Sequence, residues 1–157
     1  MDEIRFTLNG EAVAYDGSAA DRLLDVLRDV YDDRSVKCGC KEGECGACAV
    51  LIDGELVNSC MVAMGAVDGS AVVTLEGYRE TDRFRALDKA FAEVTAVQCG
   101  YCIPGMVLAA EATLAKHPHP TDDQIREGLS GNLCRCTGYN AIAQAVANAA
   151  EEANGLW

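Results

Sequence analysis

Residues 39–48 read Gly39-Cys40-Lys41-Glu42-Gly43-Glu44-Cys45-Gly46-Ala47-Cys48, and one further cysteine, Cys60, follows in Asn58-Ser59-Cys60. Three thiolates delivered by one loop can converge on a common group only where the backbone bends tightly, and Gly39, Gly43 and Gly46 permit that bending. The same glycines let backbone N–H groups approach the sulfurs, where hydrogen bonds offset negative charge.

The Cys40-x4-Cys45-x2-Cys48 run with a distant fourth cysteine has the spacing by which plant-type ferredoxins hold a 2Fe-2S cluster. Four cysteines also bind zinc, but the usual zinc pattern is a pair of Cys-x2-Cys knuckles, from which this loop departs. Cys38 is left over, because using it in place of Cys40 would break the x4 step. Its expected part is that of a small, partly buried residue beside the cluster.

The first half reads as short strands around one helix. Ile4-Arg5-Phe6-Thr7-Leu8 alternates apolar and polar residues, Asn9-Gly10 supplies a hairpin turn, and Val13 and Tyr15 continue on the return strand. Ser18, with Asp21 three residues on, is expected to cap a helix that buries Leu23, Leu24, Leu27, Val30 and Tyr31. Ala47 to Ile52, Glu55 to Ser59 and Ala71 to Leu75 read as strands, the first two joined by the turn Asp53-Gly54. A small mixed sheet packed on a helix accounts for residues 1–76.

The second half reads as four helices. Phe84, Leu87, Phe91 and Val94 share one face, and Pro104 suits the first turn of a second helix because its missing N–H costs nothing there. Thr121-Asp122-Asp123-Gln124 is a capping-box pattern ahead of Ile125 and Leu129. An alanine-rich helix runs from about Tyr139 to Ala153 and stops at Asn154-Gly155. A second group of cysteines, Cys99-x2-Cys102 and Cys134-x-Cys136, lies just before two of these helix starts. The spacing alone admits zinc. The placement favours iron-sulfur, since two helix N-termini then direct partial positive charge at an anionic cluster that gains a further negative charge on reduction.

Whole-chain properties narrow the function. Of 157 residues, 13 are Lys or Arg and 25 are Asp or Glu, a net charge of −12 that repels phosphate backbones and anionic lipid. Nucleic acid and membrane are therefore poor partners. The N-terminus MDEIRFTLNG has neither a basic n-region nor an apolar h-region, so a cytoplasmic location is expected. Nine cysteines in a reducing compartment favour metal ligation over disulfides. His117-Pro118-His119-Pro120 reads as an exposed turn, Met61, Val62 and Met64 suit a docking patch or the core equally, and Trp157 is expected either to dock on a neighbour or to be loose.

Four ordered runs carry a resemblance that covers the chain from the first hairpin to about Ala150. They are Gly39 to Cys48, Asn58-Ser59-Cys60, Gln98-Cys99-Gly100-Tyr101-Cys102-Ile103-Pro104-Gly105-Met106, and Gly131-Asn132-Leu133-Cys134-Arg135-Cys136-Thr137-Gly138-Tyr139. Together they resemble the small iron-sulfur subunit of the molybdenum hydroxylases, the xanthine dehydrogenase and aldehyde oxidoreductase family. The resemblance implies an α+β chain: a beta-grasp, plant-type ferredoxin domain over 1–76, a linker over 77–81, and a helical 2Fe-2S-binding domain, a four-helix bundle, over 82–157. It implies two 2Fe-2S clusters, one on Cys40, Cys45, Cys48 and Cys60 facing a flavin (FAD) subunit. The other, on Cys99, Cys102, Cys134 and Cys136, faces the molybdopterin-molybdenum cofactor of a large subunit, with Gln98 and Cys136 touching the pterin. The implied role is that of an electron-transfer subunit of an oxidoreductase, relaying single electrons within a heterotrimer, often doubled, whose substrate site lies on another chain. Against the family pattern, Ile103 stands where threonine is usual, Ala49 replaces a common threonine, and Cys38 adds a thiol.

Overall fold

The computed structural model describes residues 3–153 and 155–157. Strands β1 (Ile4–Leu8) and β2 (Glu11–Tyr15) form the expected hairpin, in register from Ile4 opposite Tyr15 to Leu8 opposite Glu11. Asn9 and Gly10 at its tip have φ of 53° and 85°, the left-handed pair that a two-residue turn of matching twist requires. Helix α1 (Leu23–Asp29) then buries Leu23, Leu24, Val26 and Leu27.

The start of α1 departs from expectation. Ser18 does not cap it: the Ser18 N–H donates to Asp21 Oδ2 at 3.0 Å and its Oγ accepts from the Ala20 N–H at 3.2 Å, closing a separate turn. The helix opens after Arg22 and spans only 7 residues, just under two turns. Val30 therefore lies beyond its end and is 58% exposed, while Val26 joins the buried face in its place.

Strands β3 (Ala49–Ile52), β4 (Glu55–Asn58) and β5 (Ala71–Val73) complete a five-stranded sheet in the order β2-β1-β5-β3-β4. Among the described residues β1 and β5 pair in parallel and the other neighbours are antiparallel. Because side chains alternate along a strand, Val50 and Val72 pack against α1, whereas Leu51 and Val73 reach the core of the helical half. One sheet thus serves two cores. β3 begins at Ala49 rather than Ala47, since the Ala49 N–H turns back to the Gly46 carbonyl at 3.1 Å. β5 ends at Val73 because Thr74 is held by Asn9 and Asp33, at 2.9 Å from its N–H to Asn9 Oδ1 and 2.5 Å from its hydroxyl to Asp33 Oδ2. A short helix, α2 (Leu75–Tyr78), follows directly.

The four expected helices are α3 (Asp82–Glu93), α4 (Ile103–Lys116), α5 (Asp122–Leu129) and α6 (Asn140–Glu152). Pro104 sits in the first turn of α4, and Thr121 and Gln124 form the full capping box of α5. Of the expected stop at Asn154-Gly155, Asn154 lies outside the described residues. Leu87, Phe91, Met106, Leu114, Ile125 and Ile142 fill the core between the helices. Glu111 of α4 is buried there yet fully paired: it accepts from the Tyr78 hydroxyl at 2.6 Å, the Arg83 guanidinium at 2.8 Å and the Trp157 indole N–H at 2.7 Å. A buried carboxylate is tolerable only with such partners. Trp157 accordingly docks on its own chain. Among the described residues, no helix is long and apolar enough to cross a membrane.

The two halves meet at the cysteine loops. Gly46, with φ of 69°, lies so close to Gly105 that a Cβ on Gly105 would stand 2.4 Å from the Gly46 carbonyl oxygen. That oxygen accepts from the buried Asn132 side-chain amide at 3.0 Å, and the neighbouring Cys45 carbonyl accepts from the Leu133 N–H at 2.9 Å. Truncating the buried α1 residue Leu27 to alanine is expected to lower unfolding free energy by about 2–5 kcal/mol in urea denaturation. Gly105→Ala is expected to cost about 1–3 kcal/mol by forcing backbone apart at the junction, whereas Gly131→Ala, with open space around it and no left-handed φ, should not show that overpacking cost.

Candidate metal centres

All nine cysteines are free thiols, and eight of them gather in two sets of four. In the first set Cys40 pairs with Cys45 and Cys60 with Cys48, and Cys60 also lies in the field of Cys40. In the second, the Cys99 and Cys136 sulfurs are 3.7 Å apart and Cys102 pairs with Cys134, with Cys99 and Cys134 in the field of the opposite pair. Among the described residues, no three His, Cys, Asp or Glu side chains close on a single metal ion. In each set the sulfurs stand as two pairs, and four thiolates so grouped are the ligand number of a 2Fe-2S cluster.

The first set is built by the loop between α1 and β3 and by the tight turn after β4. Gly43 and Gly46 take left-handed φ of 82° and 69°; Gly39 serves by clearance, because a Cβ there would stand 2.6 Å from Cys45 Sγ. The backbone N–H groups of Glu42 and Cys45 donate to Cys40 Sγ at 3.5 and 3.4 Å and hold that thiol down at about 7. Burial, with a hydrogen bond to Cys48, pushes Cys60 up to about 11. Cys48 and Cys60 are buried, whereas a depression of about 450 Å³ lined by Arg22, Lys41, Cys60 and Met61 opens beside them. Lys41 is tethered there by Asp25 at 2.9 Å. Met61 is 65% exposed, while Met64 is fully buried in the α1 core, so the apolar stretch after Cys60 divides between surface and interior.

The second set lies at the start of α4 and in the loop ahead of α6, where Cys134 and Cys136 precede Asn140 by six and four residues rather than sitting directly at the helix start expected from the sequence. Cys102 immediately precedes α4 and is pushed up to about 12 by burial and by Cys134. Burial also works against ionisation of Cys134, but the Thr137 hydroxyl at 3.1 Å and nearby backbone N–H groups outweigh it and hold that thiol below its ordinary value. Cys99, Cys136 and Gln98 are exposed, on a surface that also displays the apolar side chains of Val97, Tyr101 and Leu133.

Cys38 belongs to neither set. It is half-buried against the α1 core, and its carbonyl accepts from the Tyr101 hydroxyl at 2.8 Å. His117 and His119 are exposed, the former 3.3 Å from the Gln124 amide. Asn132 and Thr137 sit inside runs quoted from the sequence, yet their roles emerge only from the structure. The available signal was their position: each is a hydrogen-bonding side chain within two residues of a clustered cysteine.

Comparisons with known proteins agree with this geometry. Residues 6–71 match the 2Fe-2S iron-sulfur cluster binding domain and residues 74–147 match a second family described as a 2Fe-2S binding domain. The chain is 50% identical to the nicotinate dehydrogenase small FeS subunit of Eubacterium barkeri over 94% of each chain. It is 41% identical to the xanthine dehydrogenase iron-sulfur-binding subunit of Escherichia coli O157:H7 over 91% of each. Among solved structures, one chain of quinoline 2-oxidoreductase from Pseudomonas putida 86 superposes with a TM-score of 0.89 at 38% identity, covering 98% of this chain and 96% of that one. With the sulfurs gathered in two fours and relatives matched along almost their whole length, the chain belongs to the family of small iron-sulfur subunits of the molybdenum hydroxylases.

Proposed function

We propose that this chain is the electron-transfer subunit of a molybdenum-containing hydroxylase or dehydrogenase, relaying single electrons between a molybdopterin subunit and a flavin subunit in a cytoplasmic heterotrimer, often doubled. Residues 1–76 and 82–157 each carry one centre and 77–81 joins them. The observation that carries the reading is the gathering of eight sulfurs into two fours whose loops are joined by the hydrogen bond from the Leu133 N–H to the Cys45 carbonyl.

Cys40, Cys45, Cys48 and Cys60 are assigned to one 2Fe-2S cluster, and Cys99, Cys102, Cys134 and Cys136 to the other. Each bound cluster supplies one-electron redox chemistry without bond changes in the protein. The chain's own residues do the rest. Each set of four cysteines would hold one cluster, and the Glu42 and Cys45 N–H groups and the first turn of α4 would offset its negative charge. The covalent chain from Cys45 to its carbonyl, one hydrogen bond, and Leu133 to Cys134 form a continuous connection between the sets.

The two ends of this connection suit different neighbours. Gln98 and Cys136, exposed among Val97, Tyr101 and Leu133, suit the large subunit and its pterin, since ligands left in water would titrate and exchange unless covered. Met61 with Lys41 and Arg22 suits the flavin subunit. Substrate oxidation then takes place on the large subunit, and this chain separates two electrons delivered together into single transfers.

The ligand assignment has a direct test in the purified assembly, whose iron content should be about four per small subunit. Cys45→Ser should erase one of two 2Fe-2S electron paramagnetic resonance signals and leave the molybdenum-proximal one. Cys102→Ser should erase the other and uncouple reduction of the flavin from substrate. Both signals persisting in either variant, or flavin reduction at the normal rate in Cys102→Ser, would refute the serial relay.

A further inference from the structure

The loop between Cys134 and α6 closes a ring of three hydrogen bonds around one sulfur. The Cys134 N–H donates to the Tyr139 hydroxyl oxygen at 2.9 Å, the Tyr139 N–H donates to Thr137 Oγ1 at 3.3 Å, and the Thr137 hydroxyl donates to Cys134 Sγ at 3.1 Å. Gly138 and Tyr139 have consecutive left-handed φ of 67° and 69°, which folds the chain back so that the ring can close. Thr137 Oγ1 thus accepts from the Tyr139 N–H and, among the described residues, donates its proton to Cys134 Sγ. Thr137 is half-buried and its hydroxyl has this specific, anchored partner.

We propose that Thr137 is a positioning residue that sets the reduction potential of the cluster held by Cys99, Cys102, Cys134 and Cys136, raising it through the O–H···S bond. The proposal rests on the ligand assignment above. One electron arriving at that centre adds one negative charge, with no proton taken up and no bond made or broken in the protein. A donor aimed at a ligand sulfur stabilises the more negative, reduced state more than the oxidised one, so the potential rises. The other set has no equivalent: among the described residues, the hydrogen bonds to Cys40 Sγ come from backbone N–H groups. A single side chain therefore biases one centre and not its neighbour. The consequence is directional, since a higher potential on the molybdenum-facing side favours taking electrons from the large subunit and makes passing them on less downhill.

Potentiometric titration of the purified assembly, followed by electron paramagnetic resonance, tests this with three variants. Thr137→Val keeps the shape and removes the hydroxyl, Thr137→Ala removes it with less bulk, and Thr137→Ser retains it. The midpoint of one signal is expected to fall in the valine and alanine variants by a shift equivalent to about tenfold in the one-electron equilibrium. The second signal should titrate as in the wild type, and Thr137→Ser should restore the wild-type midpoint. The alanine variant is read on its own if the bulkier valine does not load. Two unshifted midpoints in a hydroxyl-free variant that carries both signals would overturn the proposal, as would an equal fall in Thr137→Ser. A wild-type assembly without two 2Fe-2S signals would instead overturn the ligand assignment, so the two failures are distinguishable.

Discussion

The two cysteine loops meet where side chains are absent: a Cβ on Gly105 would strike the Gly46 carbonyl oxygen, and a Cβ on Gly46 would strike the Gly131 carbonyl oxygen and the Asn132 amide. Gly46 lies between Cys45 and Cys48, and Gly105 follows Cys102 by three residues, so backbone contact between them brings two ligand loops together that belong to different cores. Asn132 then locks the contact from the side, its amide donating to the Gly46 carbonyl in a site where an unpaired oxygen would carry a desolvation cost. The hydrogen bond from the Leu133 N–H to the Cys45 carbonyl lies one residue away from this approach on each loop.

The sheet explains how two cores can share one rigid support. Adjacent residues of β3 point to opposite faces, Val50 into the α1 core and Leu51 into the helical core, so neither half is free to slide relative to the other without opening both. Glu111, a buried carboxylate satisfied by Tyr78, Arg83 and Trp157, ties α2, α3 and α4 to residues near the end of the chain. Burial and the hydrogen bond to Glu111 push the Tyr78 phenol well above its ordinary value, so it stays a donor throughout the physiological range. Rigidity of this kind suits a relay, because electron transfer between fixed centres needs no protein motion.

The two sets differ in how they handle charge. The first draws on backbone N–H groups within its own loop, which lower Cys40, while its inner pair is shielded by burial. The second combines a helix start with a side-chain hydroxyl and leaves two of its sulfurs at the surface. Charge offset by fixed backbone dipoles is insensitive to most substitutions. Charge offset by one threonine is adjustable by mutation, and the exposed edge adjustable by whatever covers it.

Residue type and local spacing were enough to name the eight cysteines that the fold gathers, to set Cys38 apart from them, and to place the first hairpin, the capping box at Thr121 and the helix opening at Pro104. Those properties are covalent or depend on neighbours within a turn or two, which is why they were legible without a fold. The start of α1 departs from the local pattern because Ser18 and Asp21 satisfy each other in a turn that mimics a cap, and the short helix α2 follows from Thr74 being restrained by Asn9 and Asp33 from distant segments. Which sulfurs pair, how Asn132 reaches Gly46 across 86 positions of chain, and where the Thr137 hydroxyl points were decided only by tertiary structure. The reason is physical: pairing and hydrogen-bond direction depend on distances between segments remote in sequence, and on backbone turns closed only once packing holds them.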